Sequence, residues 1–302
     1  MITLQKLPYI SVIVPAYNSE KTIRDCIDSL LNQSYPRNSY EIIAVDNNSS
    51  DNTQEIIKEY PVRYVEEKNT RSSYTSRNAG IENSFGQIIG FIDADAKADK
   101  DWISKAVETI LTNKVDYLGG NIVVYSDSGK SNSFDFYSRY YEFQAEKFLK
   151  WYHYAPTCSL FVKRETFKKV GKFLSGLSSG GDYEFGNRVY RASLKQVYSQ
   201  DVVVYHPSRT NLSSQVKKWL RVGGGAAELF FHDAGRYKGL ISRLFNPRNY
   251  LPPNPWSFAK DIKIQNINNL RDRVSLYFLL YTAKNIRNLG GIYKLAKMSI
   301  TR

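Results

Sequence analysis

Ile88-Ile89-Gly90-Phe91-Ile92-Asp93-Ala94-Asp95 is the stretch from which the rest of the chain can be read. An apolar run with the composition of a buried parallel strand ends in two carboxylates one residue apart. Burying two carboxylates side by side is costly unless a cation neutralises them. Alternation along an extended chain sends Asp93 and Asp95 to the same side, so both would face one ligand. Ligands of open α/β sheets sit outside the carboxyl ends of the strands, where this pair falls. The expectation is a divalent cation holding a phosphorylated ligand. An isolated Asp-x-Asp would equally suit a solvated turn, so the flanking sequence has to decide.

Upstream, β-branched and apolar runs alternate with helical spacing. Strands are expected over residues 10–14, 40–45, 62–66 and 88–92, and helices over 22–33, 53–60, 72–83 and 101–111. Ile23, Ile27, Leu30 and Leu31 fall at helical spacing, with Asn18 or Ser19 available as cap, and Asp51 can cap the second helix. Strands alternating with helices of this length imply right-handed crossovers and a parallel sheet. Neither Gly-x-Gly-x-x-Gly nor Gly-x4-Gly-Lys-Ser/Thr occurs, so no dinucleotide fingerprint or P-loop is signalled.

Downstream the alternation breaks after a strand at 121–125. Ten aromatic residues lie between Phe134 and Tyr154, suited to core or lid packing or to stacking against a sugar or base. A strand at 159–162 and a helix at 164–170, stopped by Gly171, precede a small-residue loop at 175–181. That loop delivers Asp182 and Glu184 to a helix start, where the helix dipole alone would favour acids and where a catalytic carboxylate would also be well placed. A last strand, 202–205, ends in His206-Pro207.

The net charge of +13 is unevenly spread: 25 basic and 25 acidic residues precede Pro207, and 17 basic and 4 acidic residues follow from it. Nucleic acid, anionic lipid and acidic polymer are admissible partners for such a region. Cys26 and Cys158 lie far apart and form no Cys-x-x-Cys pattern, which argues against a disulfide framework or zinc site and fits a reducing compartment. Met1–Lys6 lacks the apolar segment of a leader, and no run approaches the roughly 20 apolar residues of a membrane span. A cytoplasmic protein, soluble or peripheral on the inner face of the membrane, is expected. Residues 246–256 hold four prolines and read as a linker. Residues 273–298 form a basic amphipathic segment, suited to an anionic membrane surface, to packing on the catalytic domain or to a homodimer contact. Gly290-Gly291 is expected to divide it into two shorter helices.

Taken together, six segments resemble the GT-A-fold glycosyltransferases of family 2. They are Val12-Ile13-Val14-Pro15-Ala16-Tyr17-Asn18-Ser19-Glu20, Val45-Asp46-Asn47-Asn48-Ser49-Ser50-Asp51-Asn52-Thr53, Ser76-Arg77-Asn78-Ala79-Gly80-Ile81, Phe91-Ile92-Asp93-Ala94-Asp95, the run from Val162 to Phe173, and Gly181-Asp182-Tyr183-Glu184-Phe185-Gly186-Asn187-Arg188. They follow in family order over about two thirds of the chain. The resemblance implies an α/β GT-A domain over 1–207, a Rossmann-like mixed sheet flanked by helices, and a mostly helical basic extension over 208–302. It implies transfer of a sugar from a nucleotide-diphospho-sugar, a UDP or GDP sugar, to a glycan, lipid-linked or small-molecule acceptor, in glycan, glycolipid or polysaccharide biosynthesis.

By position, Pro15, Ala16, Tyr17 and Glu20 would belong to the donor site, with Tyr17 against the base and Asp46 accepting a hydrogen bond from it. Arg71 or Arg77 would reach base or diphosphate. Asp93, Ala94 and Asp95 would meet ribose and metal, with Mg²⁺ or Mn²⁺ on Asp95, Asp93 and His206. Asp182 would be the catalytic base of a single inverting displacement, with Glu184 as the alternative. The family's usual first acid at this helix start is here Gly181. Residues 217–225 sit where relatives carry a basic, aromatic segment near the diphosphate. Two other classes stand beside this reading: a sugar-phosphate nucleotidyltransferase, whose glycine-rich loop is absent after the first strand, and a non-enzymatic basic binding module. Nucleic acid is disfavoured, since no nucleic-acid motif accompanies the basic residues.

Overall fold

A computed structural model describes residues 7–68, 70–126, 133–209, 211–264 and 267–300. The segment Met1–Lys6 and the side chain of Tyr140 lie outside the described residues. In chain order the elements begin β1 (Ile10–Ala16), α1 (Ile23–Leu31), β2 (Tyr40–Asp46), α2 (Thr53–Lys58), β3 (Arg63–Glu66), α3 (Ser73–Glu82) and β4 (Ile88–Phe91). They continue β5 (Lys97–Ala98), α4 (Trp102–Thr112), β6 (Tyr117–Tyr125), α5 (Ser133–Tyr137), α6 (Ala145–Tyr152), β7 (Leu160–Lys163), α7 (Arg164–Val170), α8 (Gly181–Arg191) and β8 (Gln196–Pro207). Four helices complete the chain: α9 (Leu212–His232), α10 (Ala234–Leu244), α11 (Pro255–Ile264) and α12 (Leu270–Ile300).

The strands form one eight-stranded mixed sheet in the order β3-β2-β1-β4-β7-β6-β8-β5. The first four are parallel, as the alternation of strand and helix requires. β7 runs antiparallel to β4, Ile88 opposite Lys163 and Phe91 opposite Leu160, and β6 runs antiparallel to β7. The two-residue strand β5, too short to leave a pattern in sequence, pairs with β8 by setting Lys97 opposite Tyr205 and Ala98 opposite Val204.

The chain divides into two compact units, one of Met1–Val123, Ala145–Gly176 and Gly181–His206, the other of Val124–Gln144, Leu177–Gly180 and Pro207–Arg302. In the first, β1 is buried at Ile10, Val12, Ile13 and Val14, each side chain contributing roughly 1.5–3 kcal/mol. α1 buries Ile23, Cys26, Ile27 and Leu30, the 3–4 spacing that makes the helix. The N-cap of α2 is Asn52, without a side-chain cap bond; Asp51, one residue before it, accepts at Oδ1 from Thr53 N at 3.1 Å and Thr53 Oγ1 at 2.5 Å. Asn18 does not cap α1. It adopts a left-handed φ of 48° and its Oδ1 accepts from Ser50 N at 2.8 Å, tying the loop after β1 to the loop after β2.

In the second unit residues 217–225 are interior helix of α9, with Trp219 buried among Tyr137, Leu276 and Ala283. Two expectations change there. Residues 246–256 contain a 3₁₀ turn, Pro247–Tyr250, and the start of α11 rather than plain linker. Gly290-Gly291 does not break the helix: α12 is continuous over 31 residues. A Cβ at Gly290 would stand 2.3 Å from the Leu220 carbonyl oxygen, and one at Gly223 would stand 1.8 Å from that of Arg287. The glycines let α9 and α12 meet backbone to backbone, and that packing outweighs a propensity cost of about 1 kcal/mol per glycine. The Leu177–Gly180 loop is tied to α9 through Glu228, which accepts from Ser178 N at 2.7 Å and pairs with Lys294 at 2.6 Å. α12 buries Leu276 and Ala283 but exposes Val274, Phe278, Leu289 and Tyr293.

Candidate active site

β4 ends at Phe91, so Asp93 and Asp95 are not alternate residues of one strand. They sit in a turn closed by the Ala96 N–H donating to the Asp93 carbonyl at 3.0 Å, with Ala94 buried between them. The two carboxylates therefore take different partners. Arg77 of α3, itself buried, donates from Nη2 to Asp93 Oδ1 at 2.6 Å. His206, at the end of β8, places Nε2 3.3 Å from Asp95 Oδ1. The β5–β8 register delivers it there, since Tyr205 already faces Lys97.

A third group joins them. Donor atoms of Asp93, His206 and Cys158 all lie within 4.8 Å of one another, with Cys158 and His206 buried and Asp93 half-buried. Cys158 comes from the 3₁₀ turn Thr157–Ser159 that leads into β7. Burial, followed by the charges of Asp93 and Asp95, pushes its thiol well up, as burial does for Cys26, whose Sγ donates to the Asp93 carbonyl at 3.6 Å. Two carboxylates and an imidazole converging at a strand end fit a divalent cation.

Asp182 stands at the first turn of α8. Its carboxylate accepts from Thr157 N at 3.2 Å and Thr157 Oγ1 at 3.3 Å, and from the Tyr74 hydroxyl. Burial raises its pKa; Arg77 and the Thr157 bond oppose this without cancelling it. Glu184, one residue along from Tyr183, is buried and bound by Arg188 through two bonds, Nε to Oε1 at 2.7 Å and Nη2 to Oε2 at 2.8 Å. Arg188 also donates to the carbonyls of Val170 and Lys172, so this pair ties α8 to the end of α7. Asn78, beside Arg77, clasps the next segment by donating to the Phe173 carbonyl at 2.8 Å and accepting from Phe173 N at 3.1 Å.

The remaining predicted residues flank the ends of β1 and β2. Asp46 is buried and accepts from Ser49 Oγ at 2.5 Å and Ser49 N at 3.3 Å. Tyr17 is half-exposed with the Arg71 guanidinium 5.6 Å from its ring centroid, a cation–π distance. Arg71 thus lies at the exposed mouth and Arg77 at the buried floor. Pro15 and Ala16 end β1, Ala16 in register with Asp46. Glu20 accepts from both the backbone and side-chain amides of Asn52 at 3.2 Å, which braces the loop rather than leaving the carboxylate free.

Thr157, Cys158 and Tyr74 were not among the expected site residues. None belongs to a recognisable pattern: Tyr74 comes from α3, and Thr157 and Cys158 come from the turn that leads into β7, which pairs antiparallel with β4.

The Glycosyl transferase family 2 model matches residues 11–171. Glycosyltransferase AglE of Haloferax volcanii is 31% identical over 263 residues, covering 85% of this chain and 86% of that protein. A Methanococcus voltae dolichyl N-acetyl-alpha-D-glucosaminyl phosphate 3-beta-D-2,3-diacetamido-2,3-dideoxy-beta-D-glucuronosyltransferase is 34% identical over 109 residues, a third of each chain. Among solved structures, a Pyrobaculum calidifontis mannosyltransferase in complex with GDP-Man and Mn²⁺ superposes with a TM-score of 0.65 at 20% identity, over 96% of this chain and 88% of that one. TarS 1–349 of S. aureus, in complex with UDP-GlcNAc, gives 0.56 at 20% identity over 97% and 92%. The fold is therefore GT-A, and the chain is a sugar-transferring enzyme that belongs to glycosyltransferase family 2.

Proposed function

We propose that the enzyme is a metal-dependent, inverting glycosyltransferase in which Asp182 is the base. The observation that carries the reading is a pair of adjacent residues: Thr157 holds Asp182, and Cys158, next in sequence, stands in the Asp93–His206 cluster. One turn, Thr157–Ser159, thereby touches both the acceptor-side carboxylate and the donor-side cluster.

In the reaction, the carboxylate of Asp182 takes the proton of the acceptor hydroxyl as its oxygen attacks the anomeric carbon. The bond from that carbon to the diphosphate oxygen breaks, and its electron pair leaves on the diphosphate. A single in-line displacement inverts the anomeric centre. Mg²⁺ or Mn²⁺, held by Asp95, Asp93 and His206, would supply charge for the departing diphosphate. Arg77 holds Asp93 in place from below, while Arg71, Tyr17 and Asp46 receive the nucleotide, and Glu184 serves the fold through Arg188. The raised pKa of Asp182 suits a base, whose proton affinity should approach the working pH.

Support for a UDP or GDP sugar comes from the GDP-Man and UDP-GlcNAc named for the two structural neighbours. A lipid-linked acceptor is favoured by the dolichyl phosphate compound named for the Methanococcus relative and by the basic, apolar-studded α12, which suits an anionic membrane surface. No helix among the described residues is long and apolar enough to cross a membrane. Thermal shift with UDP, GDP, dTDP and CDP sugars, each with Mn²⁺ or EDTA, tests the donor half. One nucleotide series is expected to raise the melting midpoint with Mn²⁺ alone; shifts equal in EDTA would remove the metal.

A further inference from the structure

The cluster around Asp93 contains a donor that phosphoryl-bound Mg²⁺ or Mn²⁺ has no use for. Those ions take oxygen ligands in near-octahedral arrays, whereas a sulfur donor beside an imidazole and carboxylates suits softer ions such as Zn²⁺, Co²⁺ and Cd²⁺. The Asp93 oxygen, Cys158 sulfur and His206 nitrogen lie within 4.8 Å of one another, and Asp95 Oδ1 is 3.3 Å from His206 Nε2. Bonds of about 2.0–2.3 Å in a tetrahedral site separate donor atoms by about 3.3–3.8 Å, so closure among Asp93, Cys158 and His206 asks for movements of about 1 Å, and Asp95, outside that group of three, has to swing in from its contact with His206. Cys158 and His206 are 2% and 5% exposed, while Asp93 keeps an accessible edge through which an ion can enter.

We propose that Asp93, Cys158 and His206, with Asp95 as fourth ligand, form a thiophilic metal site that overlaps the donor-metal site. A thiophilic cation entering it releases the Cys158 proton to solvent. With four protein ligands the ion keeps no open position for a diphosphate oxygen, so it acts as a competitive inhibitor of Mn²⁺. The spacing of the two cysteines in sequence gives no sign of such a site, because its ligands come from the turn after β4, the turn before β7 and the end of β8. The inference rests on the donor-metal reading above, and the experiment separates the two.

The test is absorption spectroscopy of the full chain titrated with Co²⁺, alone and with UDP or GDP, followed by Zn²⁺ and Mn²⁺ affinities from competition. Bound Co²⁺ is expected to show a near-ultraviolet sulfur-to-metal charge-transfer band beside its ligand-field bands. The band should vanish in Cys158→Ser and persist in Cys26→Ser. Zn²⁺ affinity should fall by about tenfold or more in Cys158→Ser, with Mn²⁺ affinity moving less than about threefold. Co²⁺ bound by the wild-type chain with ligand-field bands only would overturn the proposal and leave the donor-metal site standing, whatever the variants do. A band lost in Cys26→Ser but kept in Cys158→Ser would also overturn it. Failure of Co²⁺ and Mn²⁺ to bind under any of these conditions would remove both readings.

Discussion

The ring of Tyr74 occupies the space that a side chain at Gly181 would need: an ideal Cβ there stands 2.7 Å from Tyr74 Cε1 and Cζ. The same tyrosine reaches Asp182 with its hydroxyl. Gly181 thus leaves room for the Tyr74 ring of α3, whose hydroxyl holds Asp182. Gly181→Ala is expected to cost about 1–3 kcal/mol by overpacking. Combining it with Tyr74→Ala should cost less than the sum of the two single changes, measured by chemical denaturation. Additive costs would mean that the two positions do not compete for space.

Arg77 anchors Asp93 from the buried side. Arg77→Ala should lower stability by about 1–3 kcal/mol and weaken Mn²⁺-dependent donor binding together, because the partly exposed Asp93 loses its charged donor. Arg71→Ala, at the exposed mouth, should weaken donor binding while leaving the denaturation midpoint within about 0.5 kcal/mol. Calorimetric titration of the nucleotide beside denaturation curves distinguishes the two arginines.

Asp182 carries a pKa raised by burial, and the sign of its linkage follows. Its ionisation opposes folding; the penalty is absent below the ordinary carboxylate pKa and complete above the raised one. Asp182→Asn is therefore expected to keep or raise the melting temperature at neutral pH. In the wild type, transfer should increase as pH rises through a limb placed above the usual carboxylate value of about 3.9. A limb at or below that value would contradict the burial argument.

In the second unit, Glu142 accepts from Lys218 at 2.9 Å, Gln215 at 2.8 Å and Ser138 at 3.0 Å. Burial pushes its carboxyl up, but Lys218 and these bonds outweigh it and hold the pKa below the ordinary value. Lys218→Ala leaves a buried acid uncompensated and should cost about 3 kcal/mol at neutral pH. Because a depressed carboxylate stabilises only while ionised, the difference between variant and wild type should shrink as pH falls below about 4. A difference independent of pH would assign the loss to packing of the lysine stem.

The parallel half of the sheet was legible because each buried strand and its helix carry a local period, from Ile10 through Phe91. The placement of the acids was legible in part for the same reason: Asp46 closes β2, while Asp93 and Asp95 lie in the turn that follows β4. What could not be read is what long-range pairing brings in. Lys97–Ala98 is too short for a period, yet its pairing with β8 sets His206 beside Asp95. Thr157 and Cys158 are unremarkable in sequence and reach the site only because β7 pairs antiparallel with β4. Gly290-Gly291 was misread for the converse reason: helix propensity is a local quantity, and the contact of α12 with Leu220 of α9 overrides it.

The assignment of Asp182 as base is tested most directly by one paired measurement on Asp182→Asn: sugar transfer to acceptor, and donor-nucleotide affinity with Mn²⁺ in the same preparation. The account predicts transfer reduced by at least about a hundredfold with donor affinity within about threefold of wild type, since general-base catalysis contributes about 10²–10⁴-fold. Transfer retained near the wild-type rate with the donor bound normally would contradict it.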